Sequence, residues 1–323
     1  MIIVKFSGGI GNQLFQYALY DMLKKKYPEQ DVKADLSDYV LNDVHSGFEL
    51  DRVFGLIGDG RIRFSSIGDY WRCRRELPVR VGGTLGKKLE VFIAWSNART
   101  RKLAARNPRI EWIEEEPFHM HLSSKEKEAR RQECQRLLVS LEKCKDYYID
   151  GYWQDSIYYP DGLKTIAETL RYKRLRNHPE IIEMAAGLSK TNSVSVHLRC
   201  GDYLNSDYDV LTDDYYKTAI EHLKDLKSIE RIVVFSDDTQ KARERFAWME
   251  KAEFIDGHSG EEAWIDLYLM SKCKHHVIAN SSFSTWAAFL AEDKAGVVIY
   301  PDWYTKEDSN YQRDGWIRVK CGD

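Results

Sequence analysis

The chain lacks the features that most quickly assign a sequence. Its 323 residues contain no apolar run near the ~20 residues of a membrane-spanning helix. Its net charge of −3 supplies no global field to gather nucleic acid. The six cysteines (73, 134, 144, 200, 273 and 321) show no Cys-x-x-Cys spacing, so neither a zinc site nor a disulfide framework is expected. Free thiols in a reducing cytoplasm are expected instead. No basic region or cleavage site precedes the strand-like run Ile2-Ile3-Val4-Lys5-Phe6, so a secretory signal is not expected either. There is no internal repeat and no low-complexity segment. What remains is an ordinary globular composition, 43% hydrophobic and 31% charged. At roughly 150 residues per domain, the length predicts two domains, placed at 1–150 and 151–323.

The first strand runs into Ser7-Gly8-Gly9-Ile10-Gly11-Asn12-Gln13. A helix follows, with apolar Leu14, Phe15, Ala18, Leu19, Met22 and Leu23, closing on Lys24-Lys25-Lys26. Strand, glycine turn and helix present backbone N–H groups and a positive helix end to an anion. Gly9 and Gly11 are therefore candidate ligand-binding positions, and Asn12 adds an amide that a purely structural turn does not need. A dinucleotide fingerprint requires a third glycine, and the run from Gly9 reads Gly-Ile-Gly-Asn-Gln-Leu, which disfavours a nicotinamide enzyme.

Residues 71–145 read as a basic and helical insertion. Arg72, Arg74, Arg75, Arg80, Lys87 and Lys88 mix with Trp71, Phe92 and Trp95. The plain reading is a solvated face, and the functional one is contact with an anionic membrane surface or a phosphate-bearing acceptor. Ser123-x-x-Glu126 predicts a capping box opening a charged helix to about Lys143, a solvated connector near the domain boundary.

The carboxyl half alternates strands and helices, which predicts a parallel sheet and an α/β fold. In Ser193–Leu198 polar and apolar residues alternate, and the strand leads into Arg199-Cys200-Gly201-Asp202-Tyr203. An arginine fork at the carboxyl end of such a strand suits a phosphate. A second strand, Arg231–Phe235, ends at Ser236-Asp237-Asp238, acids that either hold ribose hydroxyls and base N–H groups or cap the next helix. A helix is expected over Glu261–Lys272, a strand over His275–Asn280, and a helix over Trp286–Ala291. Ser281, Ser282 and Thr285 stand before and at its start, as phosphate donors or as caps. A further strand is expected over Ala295–Tyr300. Asp207-Tyr208-Asp209 spells a short metal-transferase pattern, but three residues do not make a cage of oxygen ligands. His275 and His276 alternate across a strand and cannot share one metal; one is expected to pack and the other to be exposed.

At these motifs the chain resembles glycosyltransferase family 11, the bacterial α-1,2-fucosyltransferases. Gly8–Ala18 resembles the family's opening motif, and Gly151-Tyr152-Trp153-Gln154-Asp155 its mid-chain motif. His197–Tyr203 is similar to its His-x-Arg-Arg-Gly-Asp-Tyr donor motif, and Glu262–Ala288 to its closing motif. One departure is plain: Cys200 stands at the second arginine of the donor motif, a change that bears on donor affinity.

The resemblance implies a GT-B type architecture, two Rossmann-like domains with parallel sheets facing a central cleft. The first domain takes the acceptor, the second holds the donor GDP-fucose, and the C-terminal tail packs back on the first. It implies inverting, metal-independent transfer of L-fucose to O2 of a terminal galactose on an oligosaccharide of bacterial O-antigen, with no cofactor. Other linkages, α-1,6 or α-1,3, remain open, as does a non-catalytic nucleotide-sugar binder. Arg199 and Asn12 would stabilise the departing phosphate, joined by Ser281, Ser282 and Thr285. His197 with Asp237 or Asp238 would bind guanine or ribose. Asp202 would orient Arg199, act as a base or cap the turn; Glu49 and His45 are further candidates for the base. A cytoplasmic protein, peripheral on the inner face of the bacterial inner membrane if the acceptor is lipid-linked, is expected.

Overall fold

The structure is a computed structural model that describes residues 1–41, 46–66, 69, 110–116, 122–159, 162–201, 203–293 and 295–322. The chain divides into two compact units, Met1–Pro160 and Asp161–Asp323.

The first unit is built on β1 (Ile2–Lys5), β2 (Val32–Asp35), β3 (Ile110–Glu114) and β4 (Asp146–Asp150), in the order β2-β1-β4-β3. Every pairing is parallel. Ile2, Ile3 and Val4 are all fully buried, as befits a strand covered on both faces. The helices are α1 (Ile10–Lys26), α2 (Ser37–Leu41), α3 (Glu49–Phe54) and α4 (Ser124–Leu138). α1 is buried along most of its length, through Leu14, Phe15, Ala18, Leu19 and Leu23.

The expected insertion over 71–145 is corrected in its second half. Residues 71–109, with the basic and aromatic stretch, lie outside the described residues. Beyond them, β3 is a strand of the sheet: Ile113 is buried and Trp112 stacks on Tyr148 at 4.4 Å. α4 starts on the predicted capping box, with the Ser123 N–H donating to Glu126 Oε2 at 2.8 Å. It is not an interdomain connector. It is the crossover from β3 to β4, held against β3 by Arg130 Nε donating to the Glu114 carbonyl at 2.8 Å. The first unit also continues past residue 150, where the boundary was expected. The reason is packing: Trp153 is fully buried, and the Tyr159 O–H donates to the carbonyls of Phe15 (2.9 Å) and Trp153 (2.7 Å).

The second unit carries six parallel strands, β5 (Ser193–Leu198), β6 (Arg231–Ser236), β7 (Ala252–Phe254), β8 (His275–Val277), β9 (Val298–Pro301) and β10 (Ile317–Val319). Their order is β10-β9-β8-β5-β6-β7. The helices are α5 (Leu163–Ala167), α6 (Pro179–Lys190), α7 (Asp213–Leu226), α8 (Thr239–Arg245), α9 (Trp264–Met270) and α10 (Ser282–Phe289). α9 and α10 are shifted from their expected ranges, because the chain at Gly260–Glu262 is a separate 3₁₀ turn and α10 starts straight after Ser281. This is a doubly wound sheet. The chain enters at β5, runs outward to β7, then returns to β8 on the other side. Ligands favour the carboxyl ends of the strands at such a reversal. In the first sheet the chain instead runs outward from β1 to β2, then inward from the opposite edge, β3, to β4 beside β1.

The core of the second unit joins Val194, Val196, Leu198, Val234, Val277 and Ile299 to Tyr215, Tyr216, Ala219 and Leu223 of α7. Two central strands are buried more deeply than their sequence patterns suggest. β5 is buried at all six residues, not on one face only. Its serines are satisfied inside: Ser193 Oγ donates to the Leu188 carbonyl at 2.8 Å, and Ser195 Oγ lies 2.8 Å from His276 Nδ1. Both His275 and His276 are buried, since β8 is a central strand. The C-terminal strand β10 completes the second unit's own sheet by pairing with β9.

Candidate functional site

Three adjacent strands, β8, β5 and β6, deliver most of the candidate residues of the second unit to their carboxyl ends. Arg199 leaves β5 directly, so its position is fixed by the sheet. Its Nη1 lies 3.1 Å from Asp237 Oδ2, beyond the end of β6. Asp237 Oδ1 accepts the Cys200 N–H at 2.8 Å. One carboxylate thus grips both the guanidinium and the backbone beside it. A β-carbon at position 201 would lie 2.5 Å from Asp237 Oδ2, so Gly201 is what lets the carboxylate approach. Arg199 also lies over the Tyr203 ring, 5.7 Å from its centroid. The Arg199 side chain is 33% exposed, so it is both restrained and open to a ligand.

His197 ends β5. Burial, aided by the Arg199 charge, pushes its pKa down to about 3, so the ring is neutral at physiological pH. It lies 5.8 Å from the Phe283 ring. Its Nδ1 is buried and has no partner among the described residues. Asp238, paired with Asp237 in the sequence reading, serves a different purpose. Its Oδ1 accepts the Lys241 N–H at 3.0 Å and its Oδ2 pairs with Lys241 Nζ at 2.9 Å, which is a helix cap at α8. Those contacts hold its carboxyl below the usual range. Ser281 and Ser282 open α10 at the end of β8. Thr285 Oγ1 donates back to the Ser281 carbonyl at 3.0 Å, which engages its hydrogen. Asp202 and His45 lie outside the described residues.

In the first unit, Gly9 is the N-cap of α1 and Gly11 lies in its first turn, with Asn12 half-buried beside them. Gly8 takes a left-handed φ of +76°, and a β-carbon there would lie 2.6 Å from Asn12 Nδ2. Glu49 is committed elsewhere: its buried carboxylate accepts the Ile10 N–H at 3.0 Å and pairs with Arg52 at 3.2 Å.

Several residues of this region were not singled out by sequence reasoning. Gln13 Nε2 donates to the carbonyls of Gly8 and Gly47, both at 2.9 Å. Gln16 accepts the Ser7 N–H at 3.0 Å and donates to the Gly151 carbonyl at 3.0 Å, so it bolts the loop after β1 to the loop after β4. The available signal was their polarity within an otherwise apolar helix stretch. In the second unit, Asn280 Nδ2 ties the carbonyls of Tyr208 (2.9 Å) and Tyr304 (2.7 Å) to the end of β8. His258 Nδ1 meets the buried Asp266 carboxylate at 2.6 Å, and that contact raises the histidine's pKa. Asp209, of the Asp-x-Asp pattern, accepts the Asn205 N–H at 3.1 Å. Among the described residues no group of three or more His, Cys, Asp or Glu is placed to hold a metal.

The chain is similar over its length to two Escherichia coli proteins. One is an alpha-1,2-colitosyltransferase, 27% identical and covering 99% of each chain. The other is the O-antigen biosynthesis glycosyltransferase WbnK, 27% identical over 97% of this chain and 98% of that one. The fold is also that of the fucosyltransferase NodZ from Bradyrhizobium, at a TM-score of 0.53 and 13% identity, covering 90% of this chain and 91% of that one. The donor-motif and closing-motif residues described above all fall within residues 98–320, and that segment matches the model of glycosyl transferase family 11, the family to which this chain belongs.

Proposed function

We propose that this glycosyltransferase moves L-fucose from GDP-β-L-fucose to O2 of a terminal galactose on an oligosaccharide, with inversion and without a metal, in bacterial O-antigen synthesis. The observation that carries the reading is Arg199, fixed at the end of β5 by Asp237 and a third exposed. The acceptor hydroxyl attacks C1 of the fucose and gives up its proton to solvent, the bond from C1 to the phosphate oxygen breaks, and GDP leaves with added negative charge on its β-phosphate. Arg199 is the cation that meets this charge, and Asp237 keeps it aimed. Ser281 and Ser282 add hydroxyls and the N–H groups that open α10. Asn12 supplies its amide NH2, and Gly9 and Gly11 allow close backbone approach beside it. His197, neutral, takes the base or ribose. Thr285 braces the turn. Asp202, next to Gly201, completes the set as a second support for Arg199.

The donor has a second reading, favoured by the similarity to a colitosyltransferase over nearly all of both chains. Colitose is L-fucose without its 3-hydroxyl, so the same phosphate contacts would serve either sugar. The acceptor is a galactose-terminated glycan, held on a lipid carrier in the O-antigen setting, with the protein peripheral on the cytoplasmic face of the membrane. No helix among the described residues is long and apolar enough to cross a membrane.

The test is GDP release from GDP-fucose and from GDP-colitose, with a panel of β-galactosides in EDTA, the linkage being read by NMR. Turnover in EDTA with fucose on O2 of galactose supports the reading. A clear preference for GDP-colitose moves the donor, a metal requirement overturns the metal-free mechanism, and an α-1,6 or α-1,3 product overturns the linkage. Binding of GDP-fucose without transfer to any acceptor favours a binding protein.

A further inference from the structure

The carboxyl ends of β1 and β4 carry a contact between residues 12 and 154. Gln154 Nε2 donates to Asn12 Oδ1 at 3.0 Å. Asn12 comes from the first turn of α1, which follows β1, and Gln154 from the loop after β4, and β1 and β4 are neighbouring parallel strands. An asparagine amide can present either its oxygen or its NH2, and the hydrogen bond on the other side decides which. Here the oxygen is engaged by a donor. The NH2 lies over Gly8, where a β-carbon would come within 2.6 Å of it, and it has no hydrogen-bond partner among the described residues.

The loop that carries Gln154 is unusually constrained. Glu115 Oε2 accepts the N–H groups of both Tyr152 (3.0 Å) and Trp153 (2.6 Å). A β-carbon at position 151 would lie 2.6 Å from the Glu115 Cβ, so only glycine admits this approach. Trp153 is held at a left-handed φ of 56°, uncommon for a bulky residue, and its side chain is fully buried. Its carbonyl accepts the Tyr159 O–H at 2.7 Å, and Gln16 fixes the Gly151 carbonyl. Strained backbone of this kind persists only where its surroundings over-determine it, and it concentrates at functional sites. Gln154, itself buried, sits where these restraints converge.

We propose that Gln154 is a positioning residue for the transfer reaction: it holds the Asn12 carbonyl oxygen so that the Asn12 NH2 is presented to the donor's phosphate. This rests on the reading of Asn12 given above. It goes beyond that reading by assigning the orientation of the amide to a residue 142 positions away in the sequence, and by assigning the orientation of that residue to the Glu115 clamp.

The experiment is a double-mutant cycle on the full chain, with GDP-fucose and a β-galactoside. It compares Asn12→Ala, Gln154→Ala and the double variant, with Gln154→Glu as a near-isosteric fourth. Thermal unfolding of each variant is recorded. Asn12→Ala is expected to lower kcat on the order of 10²-fold, the usual cost of a lost transition-state donor. Gln154→Ala is expected to lower kcat with little change in the donor KM, and to cost nothing further once Asn12 is alanine. Gln154→Glu is expected to be worse than Gln154→Ala, because a carboxylate accepts from the Asn12 NH2 and turns its oxygen outward. If Asn12→Ala is harmful while Gln154→Ala is neutral, or if the two losses simply multiply, the positioning role is overturned and the reading of Asn12 survives. If Asn12→Ala is itself neutral, both fall. Should Gln154→Ala fail to fold, Gln154→Glu decides: activity equal to wild type overturns the proposal.

Discussion

The Asp237 carboxylate lies 3.1 Å from Arg199 Nη1 and also accepts the N–H of Cys200, the residue next to Arg199. The cation is therefore restrained through both its head and its backbone by one group from the neighbouring strand. This is preorganisation, since the arginine has little rotamer freedom to lose when a phosphate arrives. Asp237→Ala is expected to lower kcat by about 10²-fold, the scale of a misplaced catalytic group, and Asp237→Asn, which keeps the acceptor for Cys200, by less. Steady-state kinetics in GDP-fucose check this. Equal losses in the two variants would show that the Cys200 contact contributes nothing.

Cys200 replaces the second arginine of the donor motif that the sequence resembles. Its side chain is only 3% exposed and belongs to the core formed with Leu198, Tyr216 and Phe246. Burial also pushes its thiol pKa upward, which keeps it protonated and unreactive. Cys200→Ala is therefore expected to cost about 1 kcal/mol of stability through a small cavity, while the donor KM stays within a factor of about two. Denaturant titration and donor kinetics read the two effects separately. In the native protein, alkylation is expected to reach the exposed Cys144 well before Cys200.

The capping box is a local sequence signal that the structure reproduces through its glutamate. Glu126 Oε2 accepts the Ser123 N–H at 2.8 Å, and the Ser123 hydroxyl lies 2.6 Å from the same oxygen. Replacing Ser123 by alanine is expected to destabilise the first unit by about 1 kcal/mol, with kcat unchanged. Urea melts of the variant beside wild type check it.

The parts of the site that sequence reasoning found share a physical reason. Arg199 and Asp237 each follow a strand directly and Ser281 stands just before the helix that follows β8, so strand, turn and helix punctuation places them at one sheet edge without knowledge of distant contacts. Where local rules gave two answers, tertiary structure chose. Asp238 caps α8 because Lys241 stands one turn along. His276 is buried because β8 lies inside the sheet, where Ser195 can meet it. The Gln154–Asn12 and Glu115–Trp153 contacts were not legible, because they join segments 142 and 38 residues apart and no local rule pairs one segment with the other. The misreading of α4 as a connector has the same origin. Its polar surface is real, but a crossover helix needs only a narrow buried stripe, here Cys134 and Leu138.

Glu115 is the group whose titration reaches furthest into the fold. Its carboxyl is buried, and desolvation raises its pKa from the ordinary 4.5 to about 7 despite two backbone N–H donors. The folded state therefore keeps this proton to higher pH than the unfolded state does. Its contribution to stability is full below pH 4.5 and is lost as the pH rises through about 7. Two to three pKa units correspond to roughly 3 kcal/mol over that window. Glu115→Gln removes the titration and keeps a carbonyl oxygen for the N–H groups of Tyr152 and Trp153. The difference in unfolding free energy between wild type and this variant is thus expected to shift against wild type by roughly 3 kcal/mol between about pH 4.5 and 7.5, and to be flat above that. Chemical denaturation at a series of pH values measures it. A constant difference across the range would mean that Glu115 titrates alike in the folded and unfolded chain, and that the clamp on the Gln154 loop is already negatively charged by neutral pH.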